Sequence, residues 1–153
     1  MKRELPKDWR ENFKLSDNFW LSEFYVSDTH PEIAAQITPT VAEINSLHLL
    51  CRGALQPIRN EFGRCTVTSG VRRSELNKLL GGARGSQHEL GEACDFLCQH
   101  VDMMTVYSWI LSVLRWDGEV IFYAKKGHIH IALPSLWVVA DQFIKGEKDE
   151  RVG

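Results

Sequence analysis

A histidine and an aspartate stand seven positions apart in Ser86-Gln87-His88-Glu89-Leu90-Gly91-Glu92-Ala93-Cys94-Asp95, with Gly91 between them. Downstream, Gly127-His128-Ile129-His130-Ile131 offers two more imidazoles. Imidazole nitrogen and carboxylate oxygen are donors that zinc accepts in a tetrahedral arrangement, and a catalytic site keeps one position for water. His88 precedes a turn that a glycine permits, and Asp95 lies in the apolar run after it, so the turn can bring the two side chains together. In a strand, His128 and His130 point to the same face. One can bind the metal while the other faces the bound water or a substrate. The set His88, Asp95 and His130 leaves a coordination position open, which is a hydrolase design. An H-x-H pair on a strand is common and by itself reads as structural histidines before a metal site; the two stretches together bring the metal reading level with it.

Elements must hold these residues in place. Thr40 to Phe62 reads as the clearest helix, with Val41, Ile44, Leu47, Leu50 or Cys51, Ala54, Leu55 and Ile58 at three- and four-residue steps. Thr40 and Glu43 spell a capping box, Gly63 suits the end, and Pro57 should kink the interior. His48 on this helix reads as a surface or core histidine. Cys65 to Ser69 and Ala93 to Cys98 read as strands, the second buried on at least one face. Ser74 to Leu80 reads as a short helix followed by a glycine-rich loop, Gly81 to Gly85, whose spacing does not make a phosphate cradle. Val101 to Leu114 is a second helix, with Met104, Val106 or Tyr107, Ile110, Leu111 and Leu114 as its stripe. Glu119 to Tyr123 and Ile129 to Leu133 form a hairpin around Ala124-Lys125-Lys126-Gly127. Residues 1–30 read as an irregular arm pinned by Trp9, Phe13, Phe19, Trp20, Phe24 and Tyr25, with a short turn or strand near Ser16 to Glu23 and a short helix beginning at Pro31. Ser135 to Ile144 reads as a closing helix and 145–153 as a frayed tail. With no repeat and no linker, 1–153 reads as one α+β domain, a small antiparallel sheet with helices around it and the metal site at the sheet.

Composition narrows the classes further. A length of 153 residues supports a real core, and the hydrophobic share of 44% with 25% charged is ordinary for a globular chain. A net charge of −2 gives no basic surface for nucleic acid. No apolar run reaches the length of a membrane span, and no signal region follows the basic start, so synthesis in the cytoplasm is expected. The four cysteines, Cys51, Cys65, Cys94 and Cys98, contain no C-x-x-C pair and read as small buried hydrophobes kept reduced. A strand turns Cys94 and Cys98 away from Asp95, against a role as ligands. Trp9, Trp20, Trp116 and Trp137 can stack on sugar rings, with core packing the stronger expectation.

Ser69-Gly70-Val71-Arg72-Arg73-Ser74, Leu76-Asn77, Gly81-Gly82-Ala83, Ser86-Gln87-His88, Gly91, Ala93 and Asp95 resemble the family of zinc D-Ala-D-Ala carboxypeptidases. The chain is most similar to the small single-domain branch, many of whose members are phage-encoded. The resemblance runs from about Phe19 to His130. It implies a hedgehog/D-Ala-D-Ala peptidase-like fold, Zn2+ on His88, Asp95 and His130, and a substrate-binding arginine at Arg72. It also implies a peptidoglycan peptide as substrate and the cell wall as place of action. A guanidinium there can grip a peptide carboxylate or carbonyl and stabilise an oxyanion. Ser86 would sit beside the metal, bonding a ligand or substrate, or would simply form the turn.

The pattern departs from the family at the catalytic base. Several members place a carboxylate three residues before the last zinc histidine, where this chain has Gly127. Others carry an aspartate two residues after it, where this chain has Ala132. His128 is left as the acid/base or transition-state stabiliser, with Glu119 from the neighbouring strand and then Glu89 and Glu92 behind it. Two functions stay open: a zinc peptidase cutting peptidoglycan stems or cross-links, and an inactive zinc-containing module that binds wall or protein.

Overall fold

The structure, a computed structural model, describes residues 5–26, 30–72 and 87–134. A helical turn, α1 (Trp9–Asn12), leads into a hairpin of β1 (Lys14–Ser16) and β2 (Phe19–Trp20), and a 3-10 turn follows over Leu21–Phe24. The first segment is therefore not an irregular arm over its described part. Leu15, Phe19, Leu21, Phe24 and Tyr25 are buried, and Trp9 meets Tyr25 edge to face with ring centres 5.5 Å apart. Burial of each large apolar side chain stabilises by roughly 1.5–3 kcal/mol, which orders a hairpin too small to hold by itself.

A short helix, α2 (Pro31–Ala35), starts on its proline. The long helix begins as its capping box dictates, in α3 (Val41–Leu50). Thr40 Oγ1 accepts from the Glu43 amide at 3.2 Å, and the Glu43 carboxylate accepts from the Thr40 amide at 2.9 Å. The kink expected from Pro57 takes the form of a wide π turn over Cys51–Leu55, followed by α4 (Gln56–Phe62). Proline has no N–H to return to the preceding turn, and the ladder widens just ahead of it, with the Gln56 amide bonded to Cys51 O. Leu47, Leu50, Cys51, Ala54, Leu55 and Ile58 are buried, whereas Val41 is exposed.

The sheet comes next, with β3 (Cys65–Ser69) and β4 (Ala93–Cys98). After it, Asp102 caps α5 (Met103–Trp109) by accepting from the Met104 amide at 3.2 Å. A second wide turn, Ile110–Leu114, precedes the hairpin of β5 (Val120–Tyr123) and β6 (His128–Ala132). The four strands are antiparallel in the order β3-β4-β6-β5. Met103, Val106 and Ile110 are the buried stripe of α5 and its extension; Met104 and Leu111 face outward, contrary to the expected stripe.

Alternation along the strands separates two faces. Cys65, Val67, Cys94, Phe96, Cys98, Ile129 and Ile131 are buried and join the helices in one core. The residues between them, Asp95 and His130 among them, project from the other side. Trp116 donates Nε1–H to Ala132 O at 2.7 Å, and Trp9 and Trp116 pack against the core. Among the described residues no helix is long and apolar enough to cross a membrane. The expected Ser74–Leu80 helix, the Gly81–Gly85 loop, Ser86, the Ser135–Ile144 helix with Trp137, and the 145–153 tail lie outside the described residues.

Candidate metal centre

Register brings the chemistry together. Ser69 lies opposite Asp95, and Asp95 lies opposite His130, so the three form a row across β3, β4 and β6. The β3–β4 register shifts between Val67 and Ser69, where two residues of β3 oppose one of β4. Such a bulge re-aims side chains. Here it turns two successive hydroxyls to the same side, Thr68 toward His128 and Ser69 toward Arg72.

His88 arrives from a turn. The Glu92 amide bonds to Gln87 O at 2.9 Å, and Gly91 takes the left-handed conformation, φ +71°, that the expected turn needed. Gln87 Nε2 reaches Leu133 O at 2.9 Å and ties the turn to the end of β6. From the other side, the Arg72 amide bonds to His88 O at 2.8 Å. Gly70 carries the chain flush against Phe24: a Cβ there would stand 2.3 Å from Phe24 O. The Gly70 carbonyl, so placed, meets His88 Nδ1 at 2.8 Å.

Three donor atoms converge as a result. His88 Nε2 and His130 Nδ1 are 3.1 Å apart, His130 Nδ1 and Asp95 Oδ1 are 2.9 Å apart, and His88 Nε2 and Asp95 Oδ1 are 3.3 Å apart. Lone pairs this close repel unless a proton or a cation lies among them. Donors of a tetrahedral zinc stand about 3.3–3.6 Å from one another, so the triangle needs to open only slightly to take one. His88, Asp95 and His130 can thus hold a metal ion, and their chemistry, two imidazoles and a carboxylate, fits zinc.

Each donor is held from behind. His88 Nδ1 is bonded to Gly70 O, leaving Nε2 for the triangle. His130 turns Nε2 to Glu119 Oε1 at 2.9 Å, leaving Nδ1. Asp95 Oδ2 accepts from Arg72 Nη2 at 2.8 Å, and Arg72 Nε donates to Ser69 Oγ at 2.7 Å. Such outer partners fix tautomer and orientation at metal sites. Burial alone would push the Asp95 carboxyl up; hydrogen bonds to His130 and His88 and the nearby Arg72 guanidinium outweigh it and hold the group well below the usual carboxylate range.

The structure thus gathers His88, Asp95, His130 and Arg72, and sets His128 on the same side of β6, its Nδ1 3.3 Å from Thr68 Oγ1. Glu119 touches His130. Glu92 is buried with its carboxylate 3.3 Å from Gln87 Nε2. His48 packs away from the site, with Nδ1 3.1 Å from Leu15 O, and Cys94 and Cys98 lie on the opposite face from Asp95. Thr68, Ser69 and Gly70 carry no metal-site signal of their own in the sequence beyond their place ahead of Arg72; the bulge that recruits them is not visible there.

A small α+β domain with two imidazoles and one carboxylate converging beside an arginine is the make-up of a mononuclear metal site of hydrolase type. The family model for peptidase M15 matches residues 18–132, a span that includes all three donors, and the chain belongs to that family of zinc D-Ala-D-Ala carboxypeptidase-like proteins. No match to the chain was found among curated proteins or among solved structures.

Proposed function

We propose that the protein is a zinc metallopeptidase that hydrolyses peptide bonds in bacterial peptidoglycan stem peptides or cross-links, as a D-Ala-D-Ala carboxypeptidase or an endopeptidase on a hedgehog/D-Ala-D-Ala peptidase-like fold. The observation that carries this reading is the convergence of His88 Nε2, Asp95 Oδ1 and His130 Nδ1 within 3.3 Å in a chain of the M15 family. Zinc held by these atoms would supply the Lewis acidity that brings a water's pKa toward neutrality and polarises the scissile carbonyl. Arg72, oriented by Ser69 and Asp95, presents a guanidinium at the edge of the triangle for a substrate carboxylate or a developing oxyanion. His128, its Nδ1 occupied by Thr68, offers Nε2 for proton transfer between water and leaving amine. Ser86 is assigned to substrate binding from the family resemblance alone.

A second reading has its own support. The positions that carry a carboxylate base in relatives are Gly127 and Ala132, and the carboxylate of Glu119 is engaged by His130 Nε2. A zinc-containing module that binds wall peptide or protein without cutting it fits those facts. Zinc content measured beside mass-spectrometric analysis of products from isolated peptidoglycan separates the two. Chelator-sensitive release of D-Ala marks the carboxypeptidase, and release of cross-linked or stem fragments marks the endopeptidase. One zinc with no product on any wall type supports the binding module, and no zinc in the folded protein sinks the ligand assignment. In the active case, His128→Ala should abolish cleavage with zinc content unchanged.

A further inference from the structure

The other face of the sheet holds a pair of groups that the metal site does not use. Cys65 and Cys98 stand directly opposite each other on β3 and β4. Both are free thiols and both are buried, and their sulfurs are 3.1 Å apart. The neighbouring pair, Arg64 and Gln99, is joined by the Gln99 amide to Arg64 O at 3.0 Å. In an antiparallel ladder bonded and non-bonded pairs alternate, so Cys65 and Cys98 occupy a non-bonded pair. Consistently, the Cys98 amide donates to Met103 Sδ at 3.2 Å and not to β3. Non-bonded pairs bring Cα atoms to about 4.5 Å, within the span a disulfide bridges. Two thiols in one sheet register, with no intervening side chain, need little backbone movement to bond.

We propose that Cys65 and Cys98 are a cross-strand redox pair that closes to a disulfide in the presence of a low-molecular-weight disulfide such as oxidised glutathione. One cysteine, as thiolate, attacks the donor disulfide, forming a mixed disulfide and releasing one donor thiol. The second cysteine, having lost its proton, attacks the protein-bound sulfur and releases the other donor thiol. The two cysteines are oxidised by two electrons, the donor disulfide is reduced by two, and both protons end on donor thiols. Both sulfurs are buried, so the donor reaches them when the end of β3, an edge strand of the four-stranded sheet, opens locally. The bond closes a loop between residues 33 positions apart and restricts the unfolded chain. It ties β3 to β4 on the core side, leaving the metal triangle on the other face untouched. Reduced surroundings keep the thiols; oxidising ones fasten the sheet.

The test holds the whole protein in glutathione buffers of increasing oxidised fraction, both incubated folded and refolded from urea, then alkylates remaining thiols and maps linked peptides by mass spectrometry. The expected result is the loss of two thiols out of four, with Cys65 and Cys98 peptides joined. The melting temperature should rise by about 5 to 10 °C, zinc content should not change, and Cys98→Ala should lose both the link and the rise. Four free thiols after refolding in fully oxidised buffer, or a link mapped to Cys51 and Cys94, would overturn the proposal. The mapping is read on the unmutated chain, so it decides the matter even where the variant does not fold.

Discussion

Asp95 and Phe96 are neighbours on β4 that face opposite ways, and the two sides they look onto are built on opposite principles. Behind Phe96 the sheet meets the helices through apolar surface, and each contact is satisfied by the chain itself. In front of Asp95 the chain collects two imidazoles, a carboxylate and a guanidinium within hydrogen-bond reach. One face is complete when the chain has folded; the other sets lone pairs against one another and is completed by a proton or a cation among its donors. Substitutions on the two faces should therefore fail in different ways.

The largest expected effect on the site face is Asp95→Asn. It removes one donor of three, and zinc affinity should fall by more than the roughly 10–100-fold that outer partners of a metal ligand contribute. Metal analysis should find a folded chain without stoichiometric zinc. Phe96→Ala is its counterpart behind the sheet. Removing a fully buried aromatic costs about 3–5 kcal/mol, read as a lower urea midpoint, while the fraction still folded should bind one zinc. If Phe96→Ala also lost zinc from folded protein, the two faces would not be separable. Glu119→Gln is smaller. The amide still meets His130 but no longer draws its Nε2 proton as a carboxylate does, and zinc affinity should drop about 10–100-fold. A metal-buffer titration checks this, and unchanged affinity would make the contact incidental.

The same contrast explains what was legible in the sequence. The core face announces itself by alternation, since Cys94, Phe96 and Cys98, or Ile129 and Ile131, need only be apolar at every second position. His88, Asp95 and His130 are legible only in combination: an H-x-H on a strand is common, and it is the second stretch, with His88 and Asp95, together with the family resemblance, that singles the three out as candidate donors. Their supports are legible only in part. Glu119 stands out as a carboxylate able to reach the site from the neighbouring strand, with nothing local to say that it meets His130 and not the reacting groups. The bulge at Thr68 depends on pairing with β4, and Gly70 on an approach to Phe24 from far along the chain. The wide turn ahead of Pro57 likewise appears in sequence only as a proline inside a helical pattern. In the N-terminal segment the sequence shows the anchoring aromatics and a turn or strand near Ser16 to Glu23, but not the helical turn and the full hairpin, because such short elements carry too few residues for a period to show and their order comes from burial against the rest.

Acid and alkali should break the two faces separately in chelated, reduced protein. On the site side, the Asp95 carboxyl titrates below its unfolded value, near 3.9. As pH falls through that value the unfolded chain takes up a proton first, so stability that is fully present at neutral pH drains away, by about 2 kcal/mol. On the core side, burial pushes the thiols of Cys51 and Cys94 well up. Above about pH 8.5 the unfolded chain gives up those protons and the folded one keeps them, so stability falls as pH rises. Urea midpoints measured from pH 2 to 10 should trace a plateau with a limb at each end. Asp95→Asn should flatten only the acid limb, and Cys94→Ala should reduce only the alkaline one. An acid limb that persists in full after Asp95→Asn would mean that carboxylates elsewhere, and not the converging donors, set the protein's resistance to acid.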